Sequence, residues 1–459
     1  MFNKVKRIKP EVAFLFIGLI FGMAFLFATP PFQVSDEQSH FYKSLYLSDG
    51  HVIPEKLGDK VGVYVPSNTI GIYEAVRDLP FHVENKHTIG EITTLLNIPL
   101  DKHYKVFTST VSEISVITYS PLPYLASAFA IAIGELFNLP PLLLLYVGRI
   151  ANLILWLLLI YMAIKVTPVH KWVFFLLALM PMTIFQAASL SADSFTIGLS
   201  FLVIAVFLKL ALDTEKIEKR DIGVLFLLVL GLALSKQVYF IILLLFFLIP
   251  SSKFGGHKRM LLTFVVVSLP ILMVSAIWNF IAKNWYVPSI SQVSVQGQIS
   301  FIILHPFNFM YVLLSTLAGN LTSYLMMFVG TLGWLNNPVY LPTWLICAYL
   351  FILILVSLLD KKDKIIQLNQ KIISLITFSL ISLLMLAVEY ITYTPVGQNV
   401  IDGVQGRYFI PIAPMLLLLL YNKKIDYDIE KGLNVVIIIF IIISLIITVF
   451  EIIKRFYIL

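Results

Sequence analysis

The chain has 459 residues, 59% of them hydrophobic and 13% charged, and its mean hydropathy is +0.90. Soluble domains carry about a quarter charged residues, so a soluble globular protein is excluded, and many uncharged runs approach or exceed the ~20 residues that cross a bilayer. The net charge of +7 resides largely in short loops, a pattern that orients membrane spans and gives no reason to expect nucleic acid; the single cysteine, Cys347, excludes an intramolecular disulfide.

The first apolar run is Glu11 to Thr29, preceded by Lys4, Lys6, Arg7 and Lys9. Phe25 to Pro31 makes a poor small-residue cleavage site, so the run reads as a retained anchor with its basic end inside. Immediately beyond it come Asp36, Glu37 and His40. Charge so close to lipid is costly unless it faces a cavity, an ion or a substrate. The following stretch, Phe32 to Thr118, is long and polar and forms a substantial outer segment. Basic inner loops are expected at Lys165–Lys171, Asp213–Asp221, Ser251–Arg259, Asp360–Lys371 and Asn422–Lys431.

Keeping all five loops inside fixes the remaining spans. Tyr119 to Phe137, entered through Tyr119-Ser120-Pro121-Leu122-Pro123-Tyr124, reads as an interfacial helix that does not cross. The crossings are Leu142–Ile164, Trp172–Ala188, Phe195–Leu212, Ile222–Leu234, Val238–Pro250 and Met260–Ala282. The fifth and sixth are short and meet at Ser235-Lys236-Gln237, where one long helix is the alternative. Lys283 to Leu341 forms a second outer segment, in which Phe307–Gly330 is a juxtamembrane helix. Pro342–Leu359, Ile372–Tyr390, Tyr408–Tyr421 and Asn434–Ile453 complete about eleven spans. The expectation is one all-α polytopic membrane domain over residues 1–459, with long outer loops at 30–141 and 283–341.

Several polar residues then fall on the outer side: Asp36, Glu37, His40, Arg149, Gln186, Ser189, Ser191, Asp193, Lys236, Gln405, Gly406, Arg407 and Tyr408. Each has an ordinary alternative. Asp36 and Glu37 suit a helix N-terminus, Asp193 suits an N-cap, and Arg149 suits snorkelling to headgroups. Lys236 is harder to dismiss, because membrane spans flank it on both sides. One His with two acids is weak evidence for a metal. As a set, arginine and lysine suit a phosphate and a carboxylate suits a general base. Gly406 lets backbone turn sharply or approach a ligand. A transporter would place charges inside the membrane; mid-span polar residues are few, with Glu389 near an outer end.

These motifs resemble a membrane family catalogued as domain of unknown function 2142. The resemblance lies in Asp36-Glu37 with His40, Tyr119-Ser120-Pro121-Leu122-Pro123-Tyr124, Gly148-Arg149 and Gln186-Ala187-Ala188-Ser189-Leu190-Ser191-Ala192-Asp193. It continues through Ser235-Lys236, Leu332-Gly333-Trp334 and Gly403-Val404-Gln405-Gly406-Arg407-Tyr408-Phe409, in order over nearly the whole chain. The chain departs at Ser35, where the resemblance leads one to expect proline. That family looks like the GT-C superfamily of integral membrane glycosyltransferases. The resemblance implies a GT-C-like bundle, two long outer loops with juxtamembrane helices, and inverting transfer from a polyprenyl-phosphate sugar. It implies an outer acid as base, matched by Asp36, and a second acidic position, matched by Asp193.

The expected activity is therefore hexosyl or pentosyl transfer from a lipid-linked donor to an envelope glycan, lipid or protein, in polysaccharide biosynthesis at the outer face of a prokaryotic cytoplasmic membrane. Asp36 is the expected catalytic base, and Arg149, Lys236 and Arg407 the expected donor-phosphate ligands. Glu37, His40 and Asp193 are expected to shape the acceptor site or to hold a divalent cation such as Mg or Mn. Tyr119, Gln186, Gln405 and Tyr408 are expected in support. The alternatives are a flippase or transporter of a lipid-linked saccharide, which would move it without sugar transfer, and a non-catalytic assembly subunit, in which Asp36 substitutions would be silent.

Overall fold

A computed structural model describes residues 9–109, 116–287, 292–360, 364–422 and 432–458. Lys4, Lys6 and Arg7, parts of both outer segments and most of the last inner loop lie outside them. The described chain is predominantly helical, and seven of its helices are long and apolar enough to cross a membrane. It is an all-helical polytopic membrane architecture with two small sheets.

Helix α1 (Pro10–Ala28) starts with proline in its first turn and ends as the chain becomes extended before Pro30-Pro31. Its buried stripe contains Gly18 and Gly22. A Cβ at either would stand 2.9 Å from Leu157 or 2.7 Å from Leu153, so the missing side chains let α1 lie close against its neighbour. The opposite face, with Phe16 and Ile20 both 64% exposed, points to lipid. Helix α2 (Glu37–Ser48) is buried from Glu37 to Tyr46.

The outer segment then forms a three-stranded antiparallel sheet, β1 (Glu55–Leu57), β2 (Lys60–Pro66) and β3 (Lys105–Ser109), with α3 (Ser67–Glu74) and α4 (Ile89–Leu96) between β2 and β3. Val61, Val63 and Val65 are buried, the period-2 signature of a strand. Gly62 is required, because a Cβ there would meet the Thr108 carbonyl of β3 at 1.9 Å. Hydropathy does not foresee this small sheet, which is an addition to an otherwise helical membrane architecture.

Helix α5 (Leu125–Leu136) is 12 residues, about 18 Å, too short to cross. It exposes Leu125, Phe129, Ile133 and Leu136 on one side and buries Ser127, Ala128 and Ile131 on the other. Helix α6 (Pro141–Val166) packs against α1 and the central helix α9 (Ala192–Leu212). The expected single span at Trp172–Ala188 is instead two short buried helices, α7 (Lys171–Ala178) and α8 (Pro181–Ala187). The break falls just before Pro181, whose missing N–H suits a new helix start.

Helix α10 (Lys219–Ser235) and the 3-10 helix Gln237–Leu248 are separated by Lys236 in extended geometry, which rules out one long helix. Helix α11 (His257–Ala282), α12 (Val295–Leu304) and α13 (Pro306–Val329) follow. The short strands β4 (Thr331–Leu332) and β5 (Val339–Tyr340) pair antiparallel. Then come α14 (Thr343–Leu359), α15 (Leu368–Thr392), the 3-10 helix Gly406–Ile412, α16 (Ala413–Leu417) and α17 (Leu433–Phe456). The run Tyr408–Tyr421 is thus a broken helix, with Pro411 inside its first part and Pro414 opening α16.

Helix α13 has the length and composition to cross, yet both its ends meet elements near Asp36. Phe309 stacks on Tyr390 at the end of α15. The Thr316 hydroxyl accepts the Ile401 N–H at 3.1 Å. A Cβ at Gly406 would stand 2.0 Å from the Tyr324 carbonyl. At the opposite end of the bundle the basic loops gather. Lys364 pairs with Asp213, Lys253 donates to the Leu210 and Ala211 carbonyls, and Trp172 N–H meets Asp360.

Candidate functional site

The site begins with the chain reversal after α1. Phe32 and Asp36 are both left-handed, with φ of 63° and 62°, a conformation that costs most L-residues roughly 1–2 kcal/mol. Partners in the surrounding protein hold it. Phe32 N–H donates to Glu37 Oε2 at 3.0 Å, the Trp334 indole N–H donates to the Phe32 carbonyl at 3.1 Å, and the Ser35 hydroxyl donates to the Gly333 carbonyl at 2.8 Å. The Leu332-Gly333-Trp334 motif is thereby a clasp on the loop that carries Asp36.

Glu37 and Arg149 form a fully buried pair, at 2.6 Å between Oε2 and Nη2 and 2.8 Å between Oε1 and Nε. Arg149 also donates to the Leu26, Thr29 and Pro30 carbonyls at 3.0, 2.9 and 3.1 Å. It caps the end of α1, where carbonyls lack helical partners. Glu37 Oε1 receives the Leu190 N–H at 3.1 Å. One ion pair thus ties the end of α1, the Asp36 loop and the turn before α9 together. This corrects two expectations. Arg149 is not available as a donor-phosphate ligand, since its guanidinium is fully engaged inside the protein, and Glu37 is a framework residue.

Asp36 is different. It occupies the N-cap position of α2 but its side chain makes no capping hydrogen bond. Among the described residues its carboxylate has no hydrogen bond or ion pair, and the residue is partly exposed. Crowding by protein raises its pKa above the ordinary 3.8, while Arg407 and Lys236 pull it down by less.

Asp193 lies in the first turn of α9. The N-cap is Ser191, whose hydroxyl accepts the Asp193 N–H at 3.1 Å. The Asp193 carboxylate is free to pair with Lys236 and to approach Arg407 Nε at 3.6 Å. Lys236 lies over the Tyr408 ring at 5.0 Å, and Arg407 at 5.7 Å. Arg407 is 8% exposed, and its Nε has no hydrogen-bond partner among the described residues. Lys236 reaches this position because α10 ends there. Thr196 and Ser235 share a 2.6 Å hydroxyl contact, and the Ser120 hydroxyl donates to the Leu234 carbonyl. Arg407 reaches it because Gly406 lets backbone touch the backbone of α13.

His40 is buried with Nδ1 2.8 Å from the Tyr124 hydroxyl. Burial lowers its pKa to about 3, so the imidazole is neutral at physiological pH. Burial raises the Tyr119 pKa, and the nearby Asp193, Glu389 and Asp36 raise it further. The Tyr408 carbonyl accepts the Tyr239 hydroxyl at 2.7 Å, and the Gln405 carbonyl accepts the Tyr408 N–H at 3.0 Å. Gln186 is buried, with its Nε2 on Met182 sulfur and its Oε1 without a hydrogen-bond partner among the described residues. The expected cation ligands do not fit that task. Glu37 is held by Arg149, Asp193 pairs with Lys236, and His40 Nδ1 meets Tyr124. Among the described residues no group of three His, Cys, Asp or Glu is gathered for a metal.

Asp36, Asp193, Lys236, Arg407, Tyr119 and Tyr408 thus converge, joined by Glu389, which the sequence reading left outside the site. A polytopic helical membrane protein with a cluster of ionisable groups at one end of its bundle is the class these features define. The chain belongs to the family described as predicted membrane protein (DUF2142), whose family model matches residues 19–416. No curated protein and no solved structure matches the chain.

Proposed function

We propose that the protein is an inverting glycosyltransferase of the GT-C type, moving a sugar from a polyprenyl-phosphate donor to an envelope glycan, lipid or protein on the outer face of the cytoplasmic membrane. The observation that carries this reading is the Asp36 carboxylate, unpaired among the described residues and partly exposed, in the field of two cations that share Asp193 as counter-ion. In the reaction the acceptor hydroxyl attacks the anomeric carbon opposite the phosphate. A new carbon–oxygen bond forms as the bond to phosphate breaks, and Asp36 takes the hydroxyl proton. The phosphate leaves with the bonding electrons, and Lys236 and Arg407 stabilise its charge. Asp193 orients both cations before the donor arrives. Eleven crossings, with α5 and α13 along the outer face, belong to the same reading.

The test is transfer by the purified protein in liposomes, with the product's anomeric configuration read by NMR. Inversion is expected, and retention contradicts the mechanism. Transfer retained in Asp36→Ala contradicts the role of the base.

A further inference from the structure

Glu389 lies in the last turn of α15. Its carbonyl accepts the Tyr393 and Thr394 N–H groups at 2.9 and 3.1 Å and the Thr394 hydroxyl at 3.2 Å. The same Thr394 hydroxyl accepts the Asp402 N–H at 3.1 Å, which brings the following loop back over the helix end. There Gly403 has φ +84°, and a Cβ on it would stand 2.9 Å from Glu389 Oε2 and 2.7 Å from Tyr393. Glycine at this position therefore leaves room for the carboxylate.

Among the described residues that carboxylate has no hydrogen bond and no ion pair. It nevertheless lies in the field of Lys236, Arg407 and Asp36, and in turn acts on Tyr119, Tyr408 and Tyr393. The buried Arg407, whose Nε has no hydrogen-bond partner among the described residues and lies 3.6 Å from Asp193, belongs to the same cluster. An ionised carboxylate accepts hydrogen bonds, and a protonated one also donates through its O–H. A sugar hydroxyl, which both donates and accepts, can meet Glu389 in either state, whereas an ionised phosphate offers it no donor. The two cations suit the phosphate end of a ligand, and Glu389 suits its hydroxyl-bearing end.

We propose that Glu389 is a specificity-determining residue that receives hydrogen bonds from the hydroxyls of the sugar on the lipid-linked donor. This assignment rests on the donor reading above. A site built to receive hydroxyl donors discriminates strongly against a ligand that lacks them, because its buried acceptor is then unpaired.

The experiment measures binding to the full chain in nanodiscs by native mass spectrometry. The probes are undecaprenyl phosphate alone and the same lipid phosphate carrying neutral hexoses or pentoses. Wild type is expected to bind at least one sugar-bearing lipid about tenfold more tightly than the bare lipid phosphate, the scale of one charge-assisted hydrogen bond. Glu389→Gln and Glu389→Ala are expected to lose that preference and to bind bare lipid phosphate as wild type does. Preference retained in Glu389→Ala, or equal loss for both probes, overturns the assignment. Equal binding of every probe by wild type overturns it as well and leaves the donor reading standing. Wild type that binds none of the probes overturns the donor reading itself.

Discussion

At the scale of single residues, two neighbouring acids do opposite work. Asp36, on left-handed backbone, lies in the field of Lys236 and Arg407 without pairing to either among the described residues, while Glu37 turns inward to Arg149. Asp36→Asn is expected to abolish sugar transfer. Because burial raises the Asp36 pKa, transfer should fall as pH drops toward that raised value, above the ordinary 3.8. A pH–rate profile checks this, and a flat profile down to pH 4 contradicts it. The same shift carries a stability cost. A raised carboxylate pKa favours the folded state below the unfolded value, and that contribution is lost as pH rises through the folded value. At neutral pH Asp36→Asn should melt no lower than wild type. Arg149→Ala leaves Glu37 charged and alone in the interior, and should cost roughly 3–5 kcal/mol, read as a lower melting temperature and poor yield. The acid pair and Arg149 were visible in the sequence, but which acid Arg149 would take was not. That depends on φ at Asp36, and adjacency in sequence does not report it.

At the scale of elements, close backbone approaches set the site. Gly406→Ala would push a Cβ against the Tyr324 carbonyl and the Phe328 amide, at 2.0 and 2.6 Å, and so force α13 away from Arg407. The expected result is a loss of at least 1–3 kcal/mol together with weaker donor use. Unaltered melting and activity would show that the contact gives way cheaply. Hydropathy located the apolar segments well, since composition alone decides what lies in lipid. It did not foresee the break between α7 and α8, where Pro181 starts a new helix, or the 3-10 geometry after Lys236. It also passed over the Val61, Val63, Val65 alternation of β2, a strand signal present in the sequence. Gly406 is expected to let backbone turn sharply or approach a ligand, and the close approach the structure shows there is to the backbone of α13.

At the scale of the whole molecule, loop charge alone brought Asp36, Asp193, Lys236 and Arg407 to one end, and the structure brings those same residues together. Glu389 was left out because a lone acid near a span end carries no partner in sequence; Gly403 and the folded-back loop reveal its place. The far end of α17 also meets the outer segment. Arg455 donates to the Leu79 carbonyl at 2.8 Å, and the Phe456 carbonyl accepts the His87 N–H at 2.7 Å. If α13 lies along the outer face, cysteines at Asn308 and Thr322, in a chain with Cys347→Ser, should both react with an impermeant maleimide added outside. Protection of either one contradicts that placement. The most direct test of the central claim is sugar transfer in liposomes from a panel of radiolabelled polyprenyl-phosphate sugars, comparing wild type with Asp36→Asn. Transfer by wild type and none by Asp36→Asn is the result expected; equal transfer by both would contradict Asp36 as the base around which the site is built.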